Sequence, residues 1–338
     1  MCTSLKIFFD GVTQYVVDRV PITKSDIHQL WYFMLKIFHS PNCNIIFRGE
    51  SNQNFKDQYG IDVNDPQFTS VLFMIGEKGK SLRNLGSYFD IENTSVDNFR
   101  KICSSLNKWI NNGSIGQSKR SQALQNFIDN NHDFCRSLLG VDELVMVYNG
   151  LDNEIKRNVN LYYLAIAHTI NSLENKNCSN FISTSTNAKV AERFTSDATI
   201  LGWVPKLRTL TQNSEKIIDS VDMNKLSETI INSGIPCYDC SVFPHQNEIA
   251  LRAGFLPHFI IGIRIQDTFF INPAFMHCFK EAFALSSIID RKQCIHDIII
   301  HGLKIDQRNF EEYIRNTRFK RYYTFDGSRY VIHIIDGA

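Results

Sequence analysis

Residues 181–194 read Phe-Ile-Ser-Thr-Ser-Thr-Asn-Ala-Lys-Val-Ala-Glu-Arg-Phe, and the reading of this stretch governs the rest. Phe181 and Ile182 open a strand, since aromatic and β-branched side chains suit a pleated surface. The strand ends in the hydroxyl cluster Ser183-Thr184-Ser185. Thr186 or Asn187 can cap a helix, and Ala188–Phe194 supplies one, with Val190 and Phe194 four apart on an apolar face around Ala191. Phe194 is expected in the core. A strand tip rich in hydroxyls beside a helix N-terminus is polar and positively biased. The same residues also suit a plain helix cap.

A second stretch, residues 243–254, reads Phe-Pro-His-Gln-Asn-Glu-Ile-Ala-Leu-Arg-Ala-Gly. Gln246 and Glu248 stand two apart on a predicted strand, hence on one face. Glu248 leads into Ile249-Ala250-Leu251, and a carboxylate entering a core needs a partner or a task. An edge-strand glutamate in water is the bland alternative.

Outward from these segments, composition narrows the field. The 338 residues suggest two domains or one elaborated domain. Hydrophobic residues at 43% and charged residues at 21% argue for a real core and against disorder. Lys and Arg number 36 against 35 Asp and Glu, so no global basic field recruits nucleic acid or an anionic membrane. No run approaches the ~18 apolar residues of a membrane span, and the three-residue apolar run at Ile7-Phe8-Phe9 is too short for a signal peptide. Nine scattered cysteines do not make a disulfide framework. The expectation is a cytoplasmic protein with reduced thiols, in a host's cytoplasm if it is an effector or viral product.

Alternation around Asp10-Gly11 predicts an N-terminal hairpin over residues 4–18. Ser25 or Asp26 is expected to cap a helix reaching Phe38, with Leu30, Phe33, Met34 and Ile37 on its stripe; a strand Asn44–Phe47 follows. Residues 77–140 carry a helical pattern. Later strands are predicted at Leu144–Tyr148, Phe181–Ser183, Thr199–Val204, Glu248–Leu251, Phe259–Ile265 and Ile298–Ile300, with a hairpin around Asp326-Gly327. Helices are predicted at 155–173, 188–194, 222–232 and 307–316. Strands and helices do not strictly alternate, so the fold class is α+β. Three regions are expected: an N-terminal α/β region (1–76), a helical segment (77–140) and the domain carrying both segments above (141–338).

Taken together, Phe181–Phe194 and Gln246–Gly254 resemble the mono-ADP-ribosyltransferase family of the Arg–Ser–Glu type, with Glu248 standing 65 positions after Ser183. The resemblance covers roughly residues 140–265. It implies two roughly perpendicular antiparallel sheets forming an NAD cleft, NAD as substrate, and no metal. It also implies an aromatic-Arg-Gly step on an earlier strand. Spacing favours Tyr148-Asn149-Gly150, with Asn149 lying 34 residues before Ser183, although the position then holds asparagine. Phe47-Arg48-Gly49 has the right residue but lies 135 residues upstream, which demands a long helical insertion. Lys156 and Arg157 could supply charge that Asn149 lacks.

The implied reaction breaks the glycosidic bond between nicotinamide and ribose through an oxocarbenium-like transition state. Glu248 would stabilise the developing positive charge, Ser183 would orient it, and Thr184 and Ser185 would hold the strand end. Gln246 would stand beside the acceptor. Gln in that place points away from arginine and toward other acceptors, amide side chains and some non-protein targets among them; the expected partner is a macromolecular acceptor, protein rather than nucleic acid. NAD glycohydrolysis is an expected side activity. An alternative is a catalytically reduced relative that binds NAD, RNA or protein, which Asn149 favours. A metal site from Cys237, Cys240, His245, His277 and Cys278 would rest on a single CxxC pair, a weak signal.

Overall fold

The computed structural model describes residues 3–17, 19–41, 43–53, 56, 93–112, 119–170, 181–195, 197–205, 220–221, 227–228, 230–237, 247–252, 260–301, 321–325 and 330–334. Helix α1 (Thr3–Phe9) replaces the first strand of the predicted hairpin. Leu5, Phe8 and Phe9 are buried, a three-and-four spacing that one helix face satisfies and a strand does not. The chain turns through Gly11 at φ +77°, a conformation open to glycine. Then β1 (Gln14–Val17) pairs with the short β2 (Val20–Pro21).

Helix α2 (Lys24–Phe38) begins one or two residues before the expected cap. Thr23 is the true cap. Its Oγ1 accepts from Asp26 N at 3.1 Å, while Thr23 N donates back to Asp26 Oδ2 at 3.4 Å, a reciprocal capping box. Leu30, Phe33, Met34 and Ile37 are fully buried, as the stripe predicts. Strand β3 (Cys43–Glu50) follows.

A helical unit comes next: α3 (Val96–Asn112), α4 (Lys119–Asn130), α5 (His132–Ser137), α6 (Val141–Asn149) and α7 (Asn153–Ile170). Its core joins Phe99, Leu106, Phe134, Tyr148, Tyr162 and Tyr163, a cluster distinct from the one beneath the sheet. The predicted strand Leu144–Tyr148 is therefore α6. Leu144, Val145 and Tyr148 are buried while Met146, Val147 and Asn149 face out, the helical alternation rather than the strand one.

Beyond the helices lie β4 (Phe181–Ser185), α8 (Ala188–Phe194), β5 (Ala198–Pro205), β6 (Ser220–Val221), β7 (Glu248–Arg252), β8 (Ile260–Ile265) and β9 (Thr268–Ile271). Val190 and Ala191 of α8 are buried, but Phe194 is 65% exposed rather than core. Helices α9 (Pro273–Ala284) and α10 (Ile288–His301) follow, so Ile298–Ile300 is helical rather than a strand. The hairpin β10 (Arg321–Phe325) and β11 (Tyr330–Ile334) has the expected antiparallel register, Arg321↔Ile334 to Phe325↔Tyr330. Of the predicted helix 222–232 only parts lie within the described residues, and residues 77–92 of the predicted helical pattern and residues 307–316 lie outside them. No described helix is long and apolar enough to cross a membrane.

The architecture is α+β, with a mostly antiparallel sheet ordered β2-β1-β9-β8-β5-β3-β4-β7-β6. Only β1–β9 is parallel among these pairs. Strands from the first fifty residues thus sit inside the sheet that also holds β4–β9. The expected boundary between a separate N-terminal region and residues 141–338 does not follow the hydrogen bonds. Those bonds also connect all nine strands, where the resemblance implies two sheets. One seam is thin. β3 pairs with β5 along its whole length, Cys43↔Pro205 to Glu50↔Ala198, and β4 with β7 from Phe181↔Arg252 to Ser185↔Glu248. Between β3 and β4 the register holds one pair, Phe47↔Ser185. That single pair joins the two strand groups.

Candidate functional site

The seam gathers the chemistry. Along β3 the pleat puts Ile45, Phe47 and Gly49 on one face and Ile46, Arg48 and Glu50 on the other. Phe47 is buried in the core at 1% exposure. A Cβ built on Gly49 would stand 2.2 Å from the backbone oxygen of Ala191, so α8 crosses β3 where only glycine leaves room. An aromatic-Arg-Gly step thereby does three jobs: it anchors the strand, presents a guanidinium, and admits the helix.

That guanidinium is held from two sides. Arg48 Nη1 donates to the backbone oxygen of Ser183 at 2.8 Å, and Arg48 Nε donates to Glu50 Oε1 at 2.5 Å. The Arg48 side chain keeps 21% exposure and that of Glu50 only 3%. Charge-assisted bonds to two fixed acceptors orient the planar fork.

On β4, Ser183 and Ser185 share a face and Thr184 takes the other. Thr184 Oγ1 donates to the backbone oxygen of Ile249 at 2.6 Å, and Ser185 Oγ accepts from Asn187 N at 3.0 Å, at the foot of α8. Both residues are buried and committed to the backbone. The Ser183 hydroxyl differs, since it hydrogen-bonds Glu248. Glu248 opens β7 directly opposite Ser185 and is partly buried. Burial pushes its carboxyl above the usual carboxylate range, while the Ser183 hydrogen bond and the positive charge of Arg48 pull it back down. Arginine, serine and glutamate from three strands therefore meet at one place.

Tyr148, Asn149 and Gly150, the favoured equivalents of the aromatic-Arg-Gly step, are elsewhere. Tyr148 is fully buried in the helical core, stacked on Phe99 with ring centroids 4.0 Å apart, and its hydroxyl donates to Asn160 Oδ1 at 3.0 Å. Asn149 is exposed at the end of α6, and Gly150 caps that helix. Lys156 Nζ donates to the Asn149 backbone oxygen at 3.1 Å and lies over the Tyr148 ring, so it serves the helix end. Arg48 by contrast stands on a strand, and helices α3–α7 lie between β3 and β4 along the chain. Sequence reasoning missed Glu50 altogether. The signal was its Arg-x-Glu spacing on a strand, which puts opposite charges on one face.

Gln246 and the rest of 238–246, including Cys240 and His245, lie outside the described residues. Asn247 has φ +45°, and its backbone oxygen accepts from Thr186 N at 3.2 Å. β7 starts at Glu248, and the expected shared face of Gln246 and Glu248 falls outside the described residues. Among the described residues no group of three or more His, Cys, Asp or Glu could hold a metal ion. The donor set suits an anionic, hydroxyl-bearing ligand instead: a fixed guanidinium beside a carboxylate that a serine orients. Comparison of the chain with protein-family models, with curated proteins and with solved structures yields no match.

Proposed function

We propose that this chain is an NAD-dependent mono-ADP-ribosyltransferase of the Arg–Ser–Glu type, with Arg48 as its arginine. The observation that carries the reading is the meeting of Arg48, Ser183 and Glu248 at the seam, from strands far apart in sequence. The thin join of β3 to β4, one pair at Phe47↔Ser185, supports a cleft of the family's kind between two strand groups.

In this reading Arg48 binds the pyrophosphate of NAD and orients the dinucleotide. Glu248 faces the nicotinamide ribose and favours the positive charge that grows on the sugar as nicotinamide leaves. Burial raises its carboxyl while the Ser183 hydrogen bond and the Arg48 charge favour the ionised form, in a partly desolvated site, where such stabilisation is strongest. Ser183 fixes the carboxylate's orientation. The acceptor is a macromolecular group other than arginine, protein rather than nucleic acid, with Gln246 beside it. Water in the acceptor's place would give NAD glycohydrolysis. The alternative of a catalytically reduced binding module leaned on Asn149 as a lost arginine, and Arg48 removes that motive.

The test is nicotinamide release from NAD by the purified chain, alone and with a cell lysate, beside E248Q. Release that E248Q lowers at least about a hundredfold supports the reading. Equal release from both proteins, or none from the wild type under either condition, overturns it. With labelled NAD, the appearance of label in protein, nucleic acid or free ADP-ribose identifies the acceptor class.

A further inference from the structure

We infer that Glu50 is a positioning residue for this site, holding the Arg48 guanidinium in the orientation that receives an anionic phosphate. The inference deepens the function proposed above and rests on it. Glu50 closes β3 on the same face as Arg48, is 3% exposed in its side chain, and accepts from Arg48 Nε at 2.5 Å.

A carboxylate buried this deeply is costly. If strand packing were its only task, an apolar residue such as Ile46, fully buried two residues before Arg48 on the same face, would serve it without that cost. Its charge is also the wrong one for attracting phosphate, since it offsets part of the Arg48 field. What Glu50 adds is geometry. A guanidinium presents five donors in one plane. Glu50 takes the Nε edge from within β3, and the Ser183 carbonyl takes Nη1 from β4. Two acceptors on different strands set both the direction and the tilt of that plane, and neither of these bonds uses Nη2. Without Glu50 the plane rotates about the remaining bond to Ser183, and the fork no longer faces a bound diphosphate.

Charge and geometry separate in two variants. E50Q keeps an acceptor oxygen in place and drops the charge, whereas E50A drops both. The experiment titrates the full chain with NAD by calorimetry, with thermal melts confirming that each variant is folded, and measures KM and kcat for nicotinamide release in parallel. E50Q is expected to bind NAD within about threefold of wild type, because the hydrogen bond survives. E50A is expected to bind at least about tenfold more weakly, with the loss in KM rather than kcat. E50D, which shortens the reach but keeps the charge, follows E50A and replaces it if E50A does not fold. Wild-type affinity in E50A or E50D, or an E50Q as weak as E50A, overturns the assignment while leaving the proposed function standing. A wild-type chain that neither binds NAD nor releases nicotinamide overturns that function and this inference with it.

Discussion

Arg48 Nη1 and the backbone oxygen of Ser183 are 2.8 Å apart, and the bond between them spans the seam between β3 and β4. A side chain does there what a further ladder bond would do in a regular sheet. The arginine is thereby structural and chemical at once, which makes its replacement informative.

Lysine at position 48 keeps the charge and loses the fork. R48K is expected to lower kcat/KM for nicotinamide release by at least about tenfold and to lower the melting temperature, because a point ammonium lacks the separately placed Nε and Nη1 donors that reach Glu50 and Ser183. Steady-state kinetics and a thermal melt check both arms; an unchanged melting temperature would show that the seam does not depend on the bond.

Asn149 tests the competing arginine position. N149A alters an exposed residue at the end of α6, outside the sheet. Nicotinamide release is expected to stay within about twofold of wild type, as for surface changes away from special features. A large loss would return the arginine's place to α6.

The Ser183 hydroxyl is one of two influences that lower the Glu248 carboxyl against burial. S183A removes it, so the Glu248 value climbs further. Activity that needs the carboxylate is lost as pH falls through that value. The acid limb of the pH profile of kcat is therefore expected to move to higher pH in S183A, and a shift to lower pH or none would contradict the assignment.

Burial also carries a stability consequence. A carboxyl whose folded value lies above its unfolded one binds protons more readily when folded. The stability it contributes is present below the unfolded value and lost as pH rises through the folded one. Glutamine is neutral throughout and escapes that loss. E248Q is expected to melt at the same or higher temperature than wild type at neutral pH while losing activity, a trade common at functional sites. Differential scanning calorimetry across acid and neutral pH checks the sign.

Gly49 sits where α8 crosses β3, with the Ala191 backbone oxygen 2.2 Å from any Cβ there. Backbone cannot yield as a flexible side chain can, so G49A is expected to cost about 1–3 kcal/mol of stability, the range for overpacking. Denaturant unfolding measures it.

The segments Phe181–Phe194 and Glu248–Leu251 were legible in the chain because each is local: a strand and helix with their cap, and a strand with a carboxylate at its start. Which aromatic-x-Gly step lies on a strand, Phe47-Arg48-Gly49 rather than Tyr148-Asn149-Gly150, was not. An apolar run such as Leu144–Tyr148 fits either periodicity when it is short, and its 34-residue distance from Ser183 was attractive. The helix signals were nonetheless present: Asp142 and Glu143 in a first turn after Gly140, and Gly150 just past the end. Phe47-Arg48-Gly49, by contrast, followed the β-branched pair Ile45-Ile46 and preceded Glu50, a strand pattern with complementary charges two apart. What hid it was the length of chain before β4. Likewise Lys6–Phe9 alternated too briefly to separate a strand from the helix that buries Leu5, Phe8 and Phe9. Phe194 fits an apolar helix stripe, yet it falls at the last position of a seven-residue helix, past the point where that stripe meets the sheet.

The antiparallel register through Phe47 and Ser185 means that the chain departs after Glu50 and comes back at Phe181 on the same end of the strand pair. Residues 51–180 therefore occupy the position of an oversized hairpin turn. Closure entropy grows only with the logarithm of length, about 0.6 kcal/mol for each doubling. Such an insert can be lengthened, shortened or exchanged for another module at little thermodynamic expense, with β3 and β4 left in register.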